Sequence, residues 1–135
     1  MSDRAEEIMQ AEQVMWFRDE YKKGILWAND NNSVSSQQAM AKRSKGMLKG
    51  ASDLMYFNNG ILMAIENKII GTTHNRIHLL EQIEFGKEIE KQGGKFFFCF
   101  SFEQFRLIIQ HSASLETEYW IDKIQNSKNK SFKFD

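Results

Sequence analysis

The sequence predicts an α/β fold, because helical and strand patterns alternate along the chain. Two long segments show helical periodicity, a strong hairpin signal lies between them, and an aromatic run typical of a buried strand follows the second helix. The chain has 135 residues, of which 41% are hydrophobic, and this size suits one core. We expect a single domain over residues 1–135, with its core at about 5–112 and a C-terminal extension at 113–135.

The composition excludes several classes of protein. Lys and Arg total 18 and Asp and Glu total 18, so the overall charge gives no reason to expect nucleic-acid binding. The single cysteine cannot form an intramolecular disulfide, and no segment has the pattern of a secretion signal or a membrane span. We therefore expect an intracellular, cytoplasmic protein that has no contact with a membrane.

The first helix is predicted over residues 2–23, where apolar residues recur at intervals of three and four. A short apolar run at residues 25–28 predicts a strand, and the polar residues 29–33 predict a loop. The stretch from Asn31 to Ser52 contains no acidic residue. Its four cations are Lys42, Arg43, Lys45 and Lys49. This segment is either a solvated loop or, as we favour, a local patch that binds nucleic-acid phosphates.

The strongest local signal is a β-hairpin around Asn59-Gly60, which separates two apolar runs. The Asn-Gly pair favours a two-residue type I′ turn, in which both residues have positive φ angles. With these two residues in the turn, Asp53 lies opposite Glu66 across the hairpin, and Lys68 shares the face of Glu66. Both strands are apolar on both faces, which predicts a central position in a covered sheet.

The second half of the chain completes the α/β order. Periodicity predicts a helix over residues 75–92, a buried strand over residues 96–100 and a further helix capped by Ser101. The apolar residues around Trp120 predict a last helical turn, and the lysine-rich residues 128–133 predict a polar tail.

Asp53, Glu66 and Lys68 form a predicted cluster with a definite chemistry. Two neighbouring carboxylates repel each other unless a cation lies between them, and oxygen ligands suit Mg²⁺ or Mn²⁺. Such a metal activates water and neutralises a phosphodiester oxygen, while a lysine orients the nucleophile or stabilises the transition state. The cluster therefore predicts phosphodiester hydrolysis, and a purely structural buried ion pair is the alternative.

Residues 50–54, Gly-Ala-Ser-Asp-Leu, are followed by Asn-Gly and then by residues 65–68, Ile-Glu-Asn-Lys. This pattern resembles the G-x-P-D-L … E-x-K signature of the VRR-Nuc family, within the PD-(D/E)xK nuclease superfamily. The resemblance extends over about residues 10–112. It departs from the family at Ser52, where the signature has Pro, and at Asn67, where an apolar residue is common.

The resemblance implies a restriction-endonuclease-like core, which is a central mixed sheet flanked by helices. It also implies a metal-dependent DNA endonuclease that is selective for branched or four-way-junction DNA. Family members that stand alone are associated with dimers, and the aromatic residues between 96 and 105 and at Trp120 supply apolar surface for an interface. We therefore favour a homodimer over a monomer whose aromatic residues are all internal.

The resemblance further implies roles for individual residues. The ligands of Mg²⁺ or Mn²⁺ would be Asp53, Glu66 and the backbone carbonyl of Asn67. Lys68 would be the catalytic lysine, and Gln82 would face the same pocket. Glu12 would complete the site from the first helix, with Glu6 and Glu7 as weaker candidates.

Other residues are better explained by structure than by function. His74 and His78 could share a zinc ion, but a polar helix start explains them better. Cys99 fits an inert core position, and Trp27 fits a buried position better than a platform on which bases stack. The alternative functions are a catalytically silent nucleic-acid- or protein-binding module on the same fold, and a fully structural domain.

Overall fold

The computed structural model describes residues 2–29 and 35–135, so most of the polar loop predicted over residues 29–33 lies outside the described residues. The helices are α1 (Ser2–Trp16), α2 (Ser36–Ser44), α3 (Arg76–Lys91), α4 (Phe102–His111) and α5 (Thr117–Asn126). The strands are β1 (Ile25–Ala28), β2 (Leu54–Asn58), β3 (Ile61–Asn67), β4 (Thr73–Asn75), β5 (Lys95–Cys99) and β6 (Ser131–Lys133).

The protein is an α/β protein built on a mixed four-stranded sheet. The strand order is β1-β2-β3-β5, in which the first three strands are antiparallel and β5 runs parallel to β3. β4 and β6 form a small second sheet, and helices pack against the larger one. Within the described ranges, no helix is both long and apolar enough to cross a bilayer.

The predicted hairpin and its register are confirmed. Asn59 and Gly60 have φ angles of 53° and 77°, as a type I′ turn requires. Asn58 pairs with Ile61 at the turn, and the ladder continues to the pair formed by Leu54 and Ile65. One further step along this register places Asp53 opposite Glu66. β2 and β3 are the two central strands, as their apolar composition predicts.

The core has two parts, one on each face of the larger sheet. The first lies between the sheet and the helices α1 and α4, and it includes Leu54, Ile65 and Phe105. The second lies between the sheet and the helices α3 and α5, and it includes Met55 and Phe98. Even-numbered residues of β2 therefore point to α1 and α4, and odd-numbered residues point to α3 and α5.

Two helical segments differ from the sequence prediction. The first helix is α-helical only to Trp16, and it continues as a π-helical turn over Phe17–Tyr21. Part of the basic segment is not a loop but the helix α2, which begins after the cap residue Ser35. α2 buries none of its residues, so it lacks the apolar face by which helices are recognised in a sequence.

The C-terminal residues do not form a polar tail. β6 pairs with β4, and this pairing buries Phe132 and Phe134 against Trp120. α5 is a full helix of ten residues rather than a single turn. The extension is therefore part of the core.

The surface that was expected to support a homodimer is internal. Its aromatic residues are largely buried within one chain: Phe96, Phe97, Phe98, Phe105 and Trp120. The homodimer stays a prediction, now without this support.

The prediction for Trp27 is wrong in the opposite direction. This side chain was expected in the core, and it is 41% exposed.

Candidate active site

A cavity of about 540 Å³ lies where β2 and β3 meet the N-terminal half of α3. Its walls come from α1, α2, the segment that leads into β2, the sheet, β4 and α3. The charged and polar lining residues are Glu6, Lys42, Arg43, Lys49, Asp53, Glu66, Lys68, His74, His78, Glu81 and Gln82. The cavity thus brings together the predicted metal-binding cluster and most of the predicted basic patch.

Strand alternation places the three central charges on one face. Asp53 directly precedes β2 and Lys68 directly follows β3, so both continue the pattern of Glu66. This is the face that packs against α3, and α3 contributes Gln82 to the cavity. Asn67, which lies between Glu66 and Lys68, points to the opposite face, where it contacts Gln13.

The cluster is held by short contacts. Lys68 Nζ lies 3.3 Å from Glu66 Oε2, and both side chains are almost completely buried. The backbone amide of Asn67 donates a hydrogen bond to Asp53 Oδ2 over 2.9 Å. The backbone amide of Lys68 donates to the carbonyl of Cys99, also over 2.9 Å, which ties this end of β3 to β5.

Burial raises the pKa of both carboxyl groups. For Glu66 the pKa rises well above its usual range, because burial and the negative charge of Asp53 outweigh the attraction of Lys68. For Asp53 burial also raises the pKa, opposed by the hydrogen bond from Asn67 and by the charge of Lys68. Two acids and one base leave a net charge of about −1 when all are ionised, so the cluster favours an additional proton or cation.

The donor atoms fit a hydrated hard cation. Glu66 Oε1 and Gln82 Oε1 are buried and accept no hydrogen bond within the part of the chain that the structure describes. Mg²⁺ commonly binds through one or two carboxylates and keeps water or phosphate oxygens in its other positions. Asp53 and Glu66 can supply these carboxylates, whereas Asn67, whose carbonyl is the predicted third ligand, is buried and does not line the cavity.

The described residues hold no group of three or more His, Cys, Asp or Glu side chains that could bind a metal ion. His74 and His78, the two residues considered as zinc ligands, both line the cavity. Cys99 is buried, and burial raises the pKa of its thiol to about 12, in agreement with its expected place in the core.

The structure brings Glu6 to the cavity, and not Glu12. Glu12 lies in a separate cleft with Trp16 and Arg106. Six residues turn an α-helix through about 240°, so the two glutamates cannot share a face. Glu6 Oε2 lies 3.9 Å from His74 Nε2 in the cavity wall, whereas the third candidate on this helix, Glu7, is exposed.

Sequence analysis did not find the pairing of Gln13 with Asn67. The two side-chain amides are fully buried and exchange two hydrogen bonds, of 2.9 Å and 2.8 Å. Gln13 Nε2 also lies 3.6 Å from Cys99 Sγ. The signal that was available is a glutamine in line with Met9 and Phe17 on the apolar stripe of the first helix.

Three of the four predicted phosphate-binding residues line the cavity, namely Lys42, Arg43 and Lys49. Lys49 Nζ lies 2.9 Å from Glu81 Oε2, which fastens the segment after α2 to α3. Lys45 is exposed beyond the end of α2 and does not line the cavity.

Gly50 allows the chain to pass close to α3 just before it reaches Asp53. Its φ angle is +76°, and a Cβ atom at this position would lie 2.5 Å from the carbonyl oxygen of Glu81. Only glycine combines this backbone angle with so close an approach to α3.

We expect Gly50→Ala to destabilise the protein by about 2–5 kcal/mol, because backbone strain and overpacking add. Gly46→Ala is the matched control, since Gly46 also has a positive φ angle of +106° but has no atom within 4 Å of its Cβ position. The control should lose only about 1–2 kcal/mol. Urea unfolding measures both values, and equal losses would show that the approach to Glu81 costs nothing.

The predicted cluster and the cavity around it thus lie in one place, between the sheet and α3. The chain matches no family model, no curated protein and no solved structure.

Proposed function

We propose that this protein is a metal-dependent DNA endonuclease that hydrolyses phosphodiester bonds, with Mg²⁺ or Mn²⁺ as its cofactor. One observation carries the proposal. Asp53, Glu66 and Lys68 share one face of the sheet and line one cavity, and Lys42 and Arg43 of α2 line the same cavity. The proposal includes a restriction-endonuclease-like PD-(D/E)xK core of the VRR-Nuc type and branched DNA as the preferred substrate.

Each group has a distinct task in this proposal. Asp53, Glu66 and the carbonyl of Asn67 hold the metal, which supplies an activated water and charge neutralisation at the phosphate when it is bound. Lys68 balances part of the buried negative charge and orients the attacking water. The hydrogen bond from the Asn67 amide fixes the carboxylate of Asp53, so the ligands are in place before substrate arrives.

A cleavage assay tests the proposal directly. Purified protein is incubated with supercoiled, linear, single-stranded and four-way-junction DNA, with Mg²⁺, Mn²⁺ or EDTA. We expect cleavage with either metal, none with EDTA, and the highest rate on the junction. Failure to cut any of these substrates with either metal would overturn the proposal.

Salt dependence tests the basic patch. Substituting Lys42, Arg43, Lys45 and Lys49 together with Gln should weaken DNA binding uniformly across sequences. The slope of log K against log salt should flatten by about 0.9 for each phosphate that the variant no longer neutralises. Fluorescence anisotropy in EDTA measures the slope.

A matched control for that variant removes four cations that do not line the cavity: Arg18, Lys87, Lys91 and Lys128. The change in net charge is the same, so a similar flattening in both variants would return the patch to a merely solvated segment.

A catalytically silent binding module on the same fold is the second candidate. The 3.3 Å contact between Lys68 and Glu66 favours it, because an ion pair of this kind also serves a purely structural role. Such a module would bind DNA with the same dependence on α2, and no metal would produce cleavage.

A further inference from the structure

Within residues 2–29 and 35–135, helices cover only part of the sheet face that carries the cluster. α3 packs on β3 and β5, and β1 and β2 extend beyond it. The open part carries three large apolar side chains on neighbouring positions of β1 and β2. These are Ile25, Trp27 and Phe57, which are 60%, 41% and 41% exposed.

Trp27 lies next to the cluster on this face. It pairs directly with Met55, so Asp53 is its diagonal neighbour on the adjoining strand. Diagonal neighbours on one face of a sheet are about 7–8 Å apart, which is within reach of an aromatic side chain.

The position of Trp27 relative to Asp53 is fixed by backbone pairing. The amide of Asn29 donates to the carbonyl of Asp53 over 3.0 Å, and the Asn29 side chain donates to the carbonyl of Ser52 over 2.7 Å. β1 therefore cannot shift along β2 without breaking hydrogen bonds at the start of the metal-binding segment.

We propose that Trp27 stacks on an unpaired nucleobase of the substrate, beside the phosphate that is cut. This inference rests on the proposed function and narrows its branched substrate to DNA with unpaired nucleotides at the branch point, next to the cut. An indole is the side chain best suited to base stacking, and a base inside a duplex offers no free face to it. Continuity with the cavity favours this occupant, because the same strand of DNA that places a phosphate at Asp53 would carry its base towards Trp27.

Phe57 extends the stacking surface formed by Trp27 by one position along the sheet. It pairs with Ile25 on β1, one alternation further from Asp53 than Trp27. Among the described residues, the positions of β1 and β2 on this face between Asp53 and Phe57 carry no charge, so no side chain at these positions repels a nucleic-acid strand. A second unpaired base would stack there.

Binding of oligonucleotides in EDTA tests the inference without cleavage. The probes are a short oligothymidylate, a blunt duplex of equal length and a duplex with a single-stranded tail. We expect Trp27→Ala to weaken binding of the oligothymidylate and the tailed duplex by roughly 5- to 100-fold, and binding of the blunt duplex by less than about 2-fold. Leu115→Ala, which removes an almost completely exposed apolar side chain elsewhere, should change none of the three affinities.

Two conservative variants separate stacking from general apolar contact. Trp27→Phe should restore most of the affinity, whereas Trp27→Leu, which keeps an apolar side chain but no aromatic ring, should not. Wild-type tryptophan emission should be quenched by the oligothymidylate, and Trp27→Phe should remove that quenching, because the protein's other tryptophans, Trp16 and Trp120, are less exposed.

Three results would overturn the inference. The first is equal affinity of wild type and Trp27→Ala for the tailed duplex. The second is an equal loss of affinity for all three probes in Trp27→Ala. The third is wild-type affinity of Trp27→Leu for the oligothymidylate. If sedimentation instead shows that Trp27→Ala dissociates a dimer while single-strand binding is unchanged, this face is a protein interface. If wild type and Trp27→Ala bind and cut DNA equally well, only this inference is refuted. If wild-type protein binds none of the probes, the proposed function is refuted as well.

Discussion

Glu66→Gln is expected to abolish metal-dependent DNA cleavage while it stabilises the fold. The substitution keeps the volume of the side chain and removes one charge from the predicted metal ligands, so turnover should fall by about 100- to 1,000-fold or more. Asp53→Asn should behave in the same way. Gel-based cleavage assays with Mg²⁺ and with Mn²⁺ measure the loss.

The stabilising effect follows from the buried charges. In the wild type, two carboxylates face one lysine, and in Glu66→Gln the remaining Asp53 and Lys68 balance each other. The raised pKa of Glu66 means that the folded protein keeps a proton which the unfolded chain releases. The stability associated with this proton is present at acidic pH and is lost as the pH rises through the raised pKa.

The gain from Glu66→Gln should therefore be small near pH 4 and larger near pH 8. In EDTA near pH 8 we expect Tm to rise by about 3–5 °C, which corresponds to about 1 kcal/mol for a domain of this size. Glu84→Gln, at an exposed position in the middle of α3, is the control and should change neither Tm nor cleavage. Normal turnover in Glu66→Gln would refute the assignment of the site.

Lys68→Met should have the opposite effect on stability with the same loss of cleavage. It leaves two buried carboxylates without their cation, and breaking a buried ion pair in this way costs about 3–5 kcal/mol. The metal should bind more tightly than to wild type, since no lysine repels it. Mn²⁺ should therefore raise the Tm of Lys68→Met more than it raises that of wild type.

Lys95→Met is the matched control for this experiment. Lys95 Nζ donates a hydrogen bond to the carbonyl of Ser112 and does not line the cavity. Its removal should leave the Mn²⁺-dependent shift in Tm unchanged. If calorimetry shows that Lys68→Met no longer binds Mn²⁺, the lysine holds the carboxylates in place, and its part in the site is structural.

The features that sequence analysis predicted correctly are encoded locally. The turn chemistry of Asn59-Gly60 determined the hairpin, and strand alternation then placed Asp53, Glu66 and Lys68 on one face. Ser101 likewise caps α4 through a hydrogen bond from the amide of Gln104. In each case, a few neighbouring residues suffice to define the geometry.

The features that were missed depend on the rest of the fold. α2 has no apolar stripe, so its helical structure leaves no periodic pattern. The exposure of Trp27 depends on how far α3 extends over the sheet, which no local pattern contains. The last strand was visible in principle, because Phe132 and Phe134 alternate with polar neighbours, but Lys128, Lys130 and Lys133 suggested a tail.

The exchange of hydrogen bonds between Gln13 and Asn67 constrains how this sequence can evolve. Substitution of one amide leaves the other buried without its hydrogen-bond partner, which costs about 1–3 kcal/mol of stability. Replacement of both amides by apolar groups of similar shape is nearly neutral. A protein with only one of the two substitutions is thus less stable than the protein with neither or with both. Residues 13 and 67 should therefore change together along any lineage, although 54 positions separate them in the chain.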